Sequence, residues 1–451
     1  MTSSLIRPSL PAGNNCRIAL AGIDLWITPR IDNVFVYDTD LDIDRLKEAL
    51  SRTLTAWPLV CGQFLVLDGE NYVIEMSDNA IPFSLFNNTE LARWPHDRTV
   101  VFNSVDGLLP PFLDEVKSEQ LLKSSSYEPL FRLKVTRLIQ SGEWVMGTSW
   151  AHVLGDAFAC LNFLHTLSCF YQQVECPVLA PSFERRLWRC EEADQSLLPT
   201  MKHLCDAVST EENLRKVMNE ELTHDQLNIH FSGKQLVRLL ALCDDTSLTI
   251  HDIMIAYIIL TLNTSCFQKE EEIIRYTNNI VNYRGVSDSI APPNLIGNCT
   301  LRMISENFDN PYSLSNIARS IRRSILRSRD PQFLEHWLAT ADDLMRNMAR
   351  NGLEVNIDHF QNGIIVNSNF RYDWARSVDL GHTDKCRFHT EGTTNLFLRV
   401  FRLNPIYDGT QWKTRDREGA EVAFRIEKNM KKKFLDVWQR DIHENFVHVK
   451  K

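Results

Sequence analysis

The sequence predicts an α/β protein of two lobes, mixed sheets flanked by helices, with a ligand cleft or channel at their interface. Three observations carry this. The 451 residues exceed the length of about 250–300 at which one hydrophobic core usually stops growing. Segments of alternating apolar and polar residues take turns with segments of helical period, the signature of α/β layers. Between them, residues 177–223 are charged and show little periodicity, as a linker does. The expected division is therefore 1–190 for the first lobe, 191–225 for the linker and 226–451 for the second lobe.

Residues 33–37 form an apolar strand candidate. An amphipathic helix follows, with Ile43, Leu46, Ala49, Leu50, Leu54 and Trp57 at helical spacing, Asp42 as N-cap and Pro58 as its stop. Residues 64–67 and 72–76 read as a hairpin. Residues 130–139 alternate, turn at Ser141-Gly142, and continue into a second strand at 143–150 that runs into Ala151-His152. Phe158, Leu161, Leu164, Leu167 and Phe170 then mark a helix. In the second lobe the patterns predict helices at 233–243 and 250–262, a strand at 273–281 and a helical region from 313 to 348. Strands at 363–367, 395–403 and 421–426 precede a last helix at 428–442.

Composition narrows the function. Apolar residues at 44% and charged residues at 24% describe a globular chain. A net charge of −9 offers no basic surface for nucleic acid or anionic membrane. The 11 cysteines are odd in number and none has Cys-x-x-Cys spacing, so reduced thiols are expected, with neither a disulfide framework nor a zinc site. The N-terminus lacks the apolar run of a signal peptide, and the longest apolar run is too short to span a bilayer. A cytoplasmic, monomeric enzyme without a bound metal is the expectation.

The chemistry-bearing candidates are few. With 13 His in the chain, on the order of one His-x-x-x-Asp is expected by chance. Context raises His152-Val-Leu-Gly-Asp156, because a strand ends at the histidine and a helix begins just after the aspartate. An imidazole on such a turn projects into a cleft, where it takes a proton near neutral pH; its structural alternative is a histidine bonded to backbone. No Gly-x-Ser-x-Gly elbow, dinucleotide fingerprint, P-loop or His-Glu-x-x-His accompanies it. A base without a protein nucleophile suits direct transfer to an acceptor. Two further stretches are Asn282-Tyr-Arg284, followed by Pro292-Pro293 and Gly297-Asn298, and the acidic turn Asp379-Leu-Gly381-His382-Thr383.

In this order and at these separations, the three stretches resemble the BAHD acyltransferases, an acyl-CoA-dependent family. Its pattern is His-x-x-x-Asp-Gly, then Val-Asp-x-Arg with Pro-Pro and Gly-Asn, then Asp-Phe-Gly-Trp-Gly. The likeness spans roughly residues 20–445. It implies two similar chloramphenicol-acetyltransferase-like lobes with a channel between them, and acyl-CoA as co-substrate with no permanently bound cofactor. It also implies a small specialised metabolite as acceptor at a hydroxyl or amine, and no covalent acyl-enzyme. His152 and Asp379 are assigned to the active centre, His152 as general base and Asp379 on a loop that supports the channel. Asp156, Arg284 and Gly381 are implied as structural support, with Asp156 turned away from the substrate and paired with Arg284. Ser368 is the candidate oxyanion contact and Thr249, at a helix start, the candidate CoA-channel residue. The pattern departs in places: Ala157 replaces the Gly after Asp156, Asp379-Leu-Gly-His-Thr replaces the aromatic-rich form, and Ser368-Asn-Phe370 stands where many plant members have Thr-Ser-Trp. A divergent, fungal-type member is expected. The competing readings are a free-standing condensation domain fed by a carrier-protein thioester, against which Ala151 stands in place of that family's first His, a hydrolase with an activated water in the same cleft, and a non-catalytic binding protein on the same fold.

Overall fold

The computed structural model describes residues 2–13, 16–69, 71–121, 127–177, 179–357, 361–381 and 385–449. Its two main sheets use, in chain order, β1 (Thr2–Ile6), β2 (Arg30–Tyr37), β3 (Ile81–Asn88), β4 (Val101–Phe102), β5 (Phe131–Leu138) and β6 (Trp144–Ala151). The chain continues through β7 (His224–Phe231), β8 (Tyr276–Asn282), β9 (Thr300–Ile304), β10 (Gly363–Ser368), β11 (Arg387–Glu391), β12 (Phe397–Arg402) and β13 (Ala420–Glu427). The first sheet runs β1-β3-β5-β6-β2-β11-β4 and the second β7-β13-β12-β10-β8-β9. Both mix parallel and antiparallel pairs. The expected hairpin is present as Gln63–Leu67 and Asn71–Glu75; its turn includes residue 70, outside the described residues.

Local sequence accounts for the helices. In α1 (Ile43–Ala56), Asp42 accepts from the Arg45 amide at 3.0 Å, and Leu46, Ala49, Leu50 and Leu54 form the buried stripe. Pro58 follows the C-cap Trp57 and ends it. α2 (Ala157–Gln172) packs against α1 in the first core. α3 (Thr210–Thr223) is a full helix with Ser209 as N-cap, inside the stretch expected to be linker. α4 (Gly233–Leu240) and α5 (Ile250–Thr261) lie where their periods place them. The helical region 313–348 is two helices, α6 (Leu314–Arg327) and α7 (Pro331–Arg350), because Pro331 cannot continue a helix but suits a helix start capped by Asp330. α8 (Lys428–His443) closes the second lobe. Among the described residues no helix is long and apolar enough to cross a membrane.

The two halves of the chain are tied together in two ways. Residues Gly22–Asp24 pack on α7 with no room for a side chain at Gly22, whose Cβ would fall 2.3 Å from the Asp342 carbonyl oxygen. More importantly, β11 leaves the second half and joins the first sheet, antiparallel to β2 and parallel to β4. The stretch 226–451 therefore contributes to both sheets. Phe388 anchors the crossing strand against Phe35, Trp374 and Phe401 at ring separations of 5.3, 4.8 and 5.5 Å. Arg387, fully buried, donates to Glu143 at 2.5 Å and to the Pro95 carbonyl at 3.2 Å.

Replacing Arg387 by Ala strands the Glu143 carboxylate in the interior. The expected loss is about 3–5 kcal/mol of stability, read by denaturant unfolding, and Glu143→Gln combined with it should recover part of that loss.

Candidate active site

β6 delivers the chain to a tight turn at the interface. The His152 amide donates to the Pro29 carbonyl at 3.2 Å, His152–Leu154 form a single 3-10 turn, and Asp156 starts α2 as its N-cap. Gly155 connects them at φ +148°, and a Cβ there would lie 2.7 Å from that of Ala159 and 2.8 Å from the Gly297 oxygen. Only glycine fits both the conformation and the space. From the second half, Asn298 Nδ2 donates to the His152 carbonyl at 2.8 Å. The Asn298 amide in turn donates to Asp24 at 2.8 Å, and Arg185 holds the other oxygen of that buried carboxylate at 3.0 Å. The main chain of His152 is thus fixed on both sides.

The His152 ring lies 5.8 Å from the Trp26 ring, and its Nδ1 has no hydrogen-bond partner. Burial holds its pKa below the ordinary imidazole value, against the opposing pull of Asp156 and Asp24. It faces a cavity of about 710 Å³ between the lobes, lined by both sheets and by α7. A neutral imidazole lining a shielded cleft is equipped to accept a proton.

Asp156 does something else. Its Oδ1 accepts from the Ala159 amide at 3.1 Å, and its Oδ2 accepts from Arg284 Nη1 at 2.8 Å and the Cys299 amide at 2.9 Å. Arg284 completes its donors with the Leu295 and Gly297 carbonyls, each at 2.7 Å, and its guanidinium lies 4.5 Å from the Phe158 ring centre. Both side chains are about 95% buried, at 4% and 5% exposure. No hydrogen bond joins Asp156 to the imidazole, whose Nδ1 is unpartnered.

The other expected residues are placed differently. Ser368 does not line the cavity. Along β10 the side chains alternate, so Ile365, Asn367 and Asn369 face it while Ile364 and Val366 enter the second core on Ser368's side. Asp379, expected at the active centre, does not line the cavity. Its carbonyl accepts from Ser168 Oγ at 2.9 Å and from Gln172, at the far end of α2, roughly 24 Å along that helix from Asp156 at about 1.5 Å per residue. Gly381 is exposed at φ +94° in the same turn, and His382 and Thr383 lie outside the described residues. Thr249 is the exposed N-cap of α5, its amide and hydroxyl both donating to Asp252 at 2.8 Å, and does not line the cavity.

Comparison with known proteins gives the geometry its family. The model of the Transferase family matches residues 1–352. The chain belongs to this family, the BAHD-type acyltransferases. No curated protein sequence matches it at a significant level. Among solved structures, vinorine synthase superposes with a TM-score of 0.63 at 14% identity, over 96% of this chain and 95% of that one. TRI101 of F. sporotrichioides, complexed with coenzyme A and T-2, gives 0.56 at 14% identity, over 94% and 99%. The first condensation domain of the CDA synthetase gives 0.55 at 13%, over 98% of both chains. These likenesses establish the shared fold of this BAHD-type acyltransferase.

Several site residues carry no signal in the family motifs. Trp26 and the Asp24–Arg185 pair come from stretches with no clear period. Asp32 and Glu391 line the cavity from β2 and β11, where other polar residues stand beside them and nothing in the sequence singles them out. For the BAHD-type turn, Asp156→Ala and Arg284→Ala are each expected to cost about 3–5 kcal/mol and to lower activity. The double variant should lose less than the sum, measured as a double-mutant cycle by denaturant unfolding. Full additivity would mean the two charges do not depend on each other.

Proposed function

We propose that this acyltransferase moves an acyl group from acyl-CoA to a hydroxyl or amine of a small acceptor, with His152 as general base and no acyl-enzyme. The observation that carries the reading is the His152 imidazole, held on the interlobe turn beside Trp26, lining the interlobe cavity and depressed in pKa by burial. His152 takes the acceptor proton as oxygen or nitrogen attacks the thioester carbonyl. The tetrahedral intermediate collapses, the C–S bond breaks, and the proton passes to the CoA thiolate as it leaves. One bond forms, one breaks, and the base is regenerated. The TRI101 structures hold coenzyme A, and one holds deoxynivalenol, a precedent for a thioester donor and a small acceptor on this fold.

The oxyanion donor in this reading is Asn367 in place of Ser368. Asn369 Nδ2 donates to Asn367 Oδ1 at 3.3 Å, which leaves the Asn367 Nδ2 hydrogens available on the cavity face. The Asp379 carbonyl holds the far end of α2, Gly381 turns the chain after it and Thr249 caps α5; this reading gives none of the three a part in the chemistry.

His152→Ala should fold with an unchanged melting temperature and lose about two to four decades of kcat/KM, measured as CoA release dependent on acceptor. Because the working form is the neutral imidazole and burial lowers its pKa, the acid limb of kcat/KM in wild type should lie below the ordinary histidine value of about 6.5. A limb above it would contradict the proposed base.

Asn367→Ala is expected to lower kcat by about 100- to 1000-fold with little change in KM, whereas Ser368→Ala leaves kcat nearly unchanged. The reverse order in the same steady-state assay would return the oxyanion contact to Ser368.

A further inference from the structure

One corner of the cavity brings two carboxylates together. β2 and β11 lie side by side there, with Thr390 Oγ1 donating to the Asp32 carbonyl at 3.1 Å, and they bring Asp32 and Glu391 to the same wall. Asp32 Oδ1 and Glu391 Oε2 are both shielded and neither has a hydrogen-bond partner. Two guanidinium groups border it without reaching these two oxygens. Arg30 stands 3.7 Å from the other Asp32 oxygen and shares itself with Glu115 at 3.5 Å. Arg399 spends its donors on the carbonyls of Glu391 and Gly392, at 2.5 and 3.0 Å, and on Thr390 Oγ1 at 3.3 Å.

A second, separate side chain points the same way. Asn369 is 5% exposed, lines this cavity, and its Oδ1 has no partner. It belongs to the same wall, because Asn367, to which it is bonded, stands opposite Arg399 in the β10–β12 register. Burial, followed by the neighbouring Asp32 carboxylate, raises the Glu391 pKa to about 7, while burial also raises that of Asp32 against the pull of Arg30. Arg30 and Arg399 oppose these shifts only in part, and Asp32 Oδ1, Glu391 Oε2 and Asn369 Oδ1 are left short of donors, a cost that a cationic ligand would reduce.

We propose that this corner is an acceptor subsite for a protonated amine, and that the acceptor is a small alcohol carrying an ammonium group that sits between Asp32 and Glu391. The inference rests on the acyl-transfer reading for the other end of the molecule. In the β2–β6 register Asp32 is opposite Ser149, so His152 lies three residues further along, roughly 10 Å at about 3.3 Å per residue. A short alkyl chain between ammonium and hydroxyl covers that span once the side chains reach inward.

The test compares 5-aminopentan-1-ol with 1,5-pentanediol, which differ in one charged group, by ligand-detected NMR titration near neutral pH. Wild type should bind the amino alcohol at least about tenfold more tightly. The Asp32→Asn, Glu391→Gln double variant should lose that preference while unfolding at a similar temperature; Glu391→Gln alone serves if the double variant does not fold. Equal binding of the two probes, binding of neither, or a preference that survives the substitutions would overturn the subsite. A panel of acyl-CoAs separates this from the reading beneath it. Acylation of the diol as fast as of the amino alcohol removes the subsite alone. Selective amine binding with no transfer from any acyl-CoA removes the acyl-transfer reading alone.

Discussion

The buried Asp156–Arg284 ion pair is the constraint on which the catalytic turn depends. Taking two charges out of water is costly, and their mutual attraction offsets that cost only when the remaining donors and acceptors are satisfied. Here they are. Asp156 accepts from Arg284, the Cys299 amide and the Ala159 amide, and Arg284 fills its other directions with the Leu295 and Gly297 carbonyls. The pair joins the helix after β6 to the loop after β8, so the residue that ends the catalytic turn is fixed by the opposite half of the chain. His152 inherits its position from this arrangement without touching the carboxylate.

A second constraint, the crossing of β11 into the first sheet, decides the character of the cavity wall. Phe388 and Arg387 are locked into the first core by ring packing and by Glu143. The residues that follow, Thr390 and Glu391, are therefore held beside Asp32 whether or not their charges favour it. Two carboxylates in one partly desolvated wall is an arrangement that folding alone would not select. The backbone enforces it, and it leaves Asp32 Oδ1 and Glu391 Oε2 without partners in that wall.

Helices were legible in the sequence because their information is local. Asp42, Asp156 and Asp330 cap helices whose apolar stripes repeat every three to four residues, and the structure places α1, α2 and α5 within a residue or two of the periodic segments. Strands with one wet face were less legible. β7 buries Leu227, Ile229 and Phe231, but its other face carries Gln226, Asn228 and His230, which meet the buried Glu421 and the Val101 carbonyl; no solvent-facing stripe marks it. The pairing of β11 with β2 could not be read at all, since it joins residues about 350 apart and neither partner encodes the other. The motif residues were found, yet Ser368 shows the limit. In a strand a shift of one residue exchanges the two faces, so a motif aligned by type alone picks a hydroxyl on the face turned from the cavity and misses the two asparagines beside it.

The altered Asp379 turn follows the same logic. The family's aromatic and second glycine are absent, but what this turn contributes is main-chain carbonyls. Tyr37 donates to Val378 at 2.7 Å, His165 approaches Ser377 at 2.7 Å, and Ser168 donates to Asp379 at 2.9 Å. Carbonyls are supplied by any residue that keeps the backbone path, and Leu380 fills the core position, 2% exposed, without an aromatic ring. Sequence change is tolerated where the contact is backbone and volume, and excluded where it is a charge pair or a glycine conformation. That difference fits a His152–Asp156 turn and an Arg284 that match the family pattern beside an Asp379 turn that departs from it.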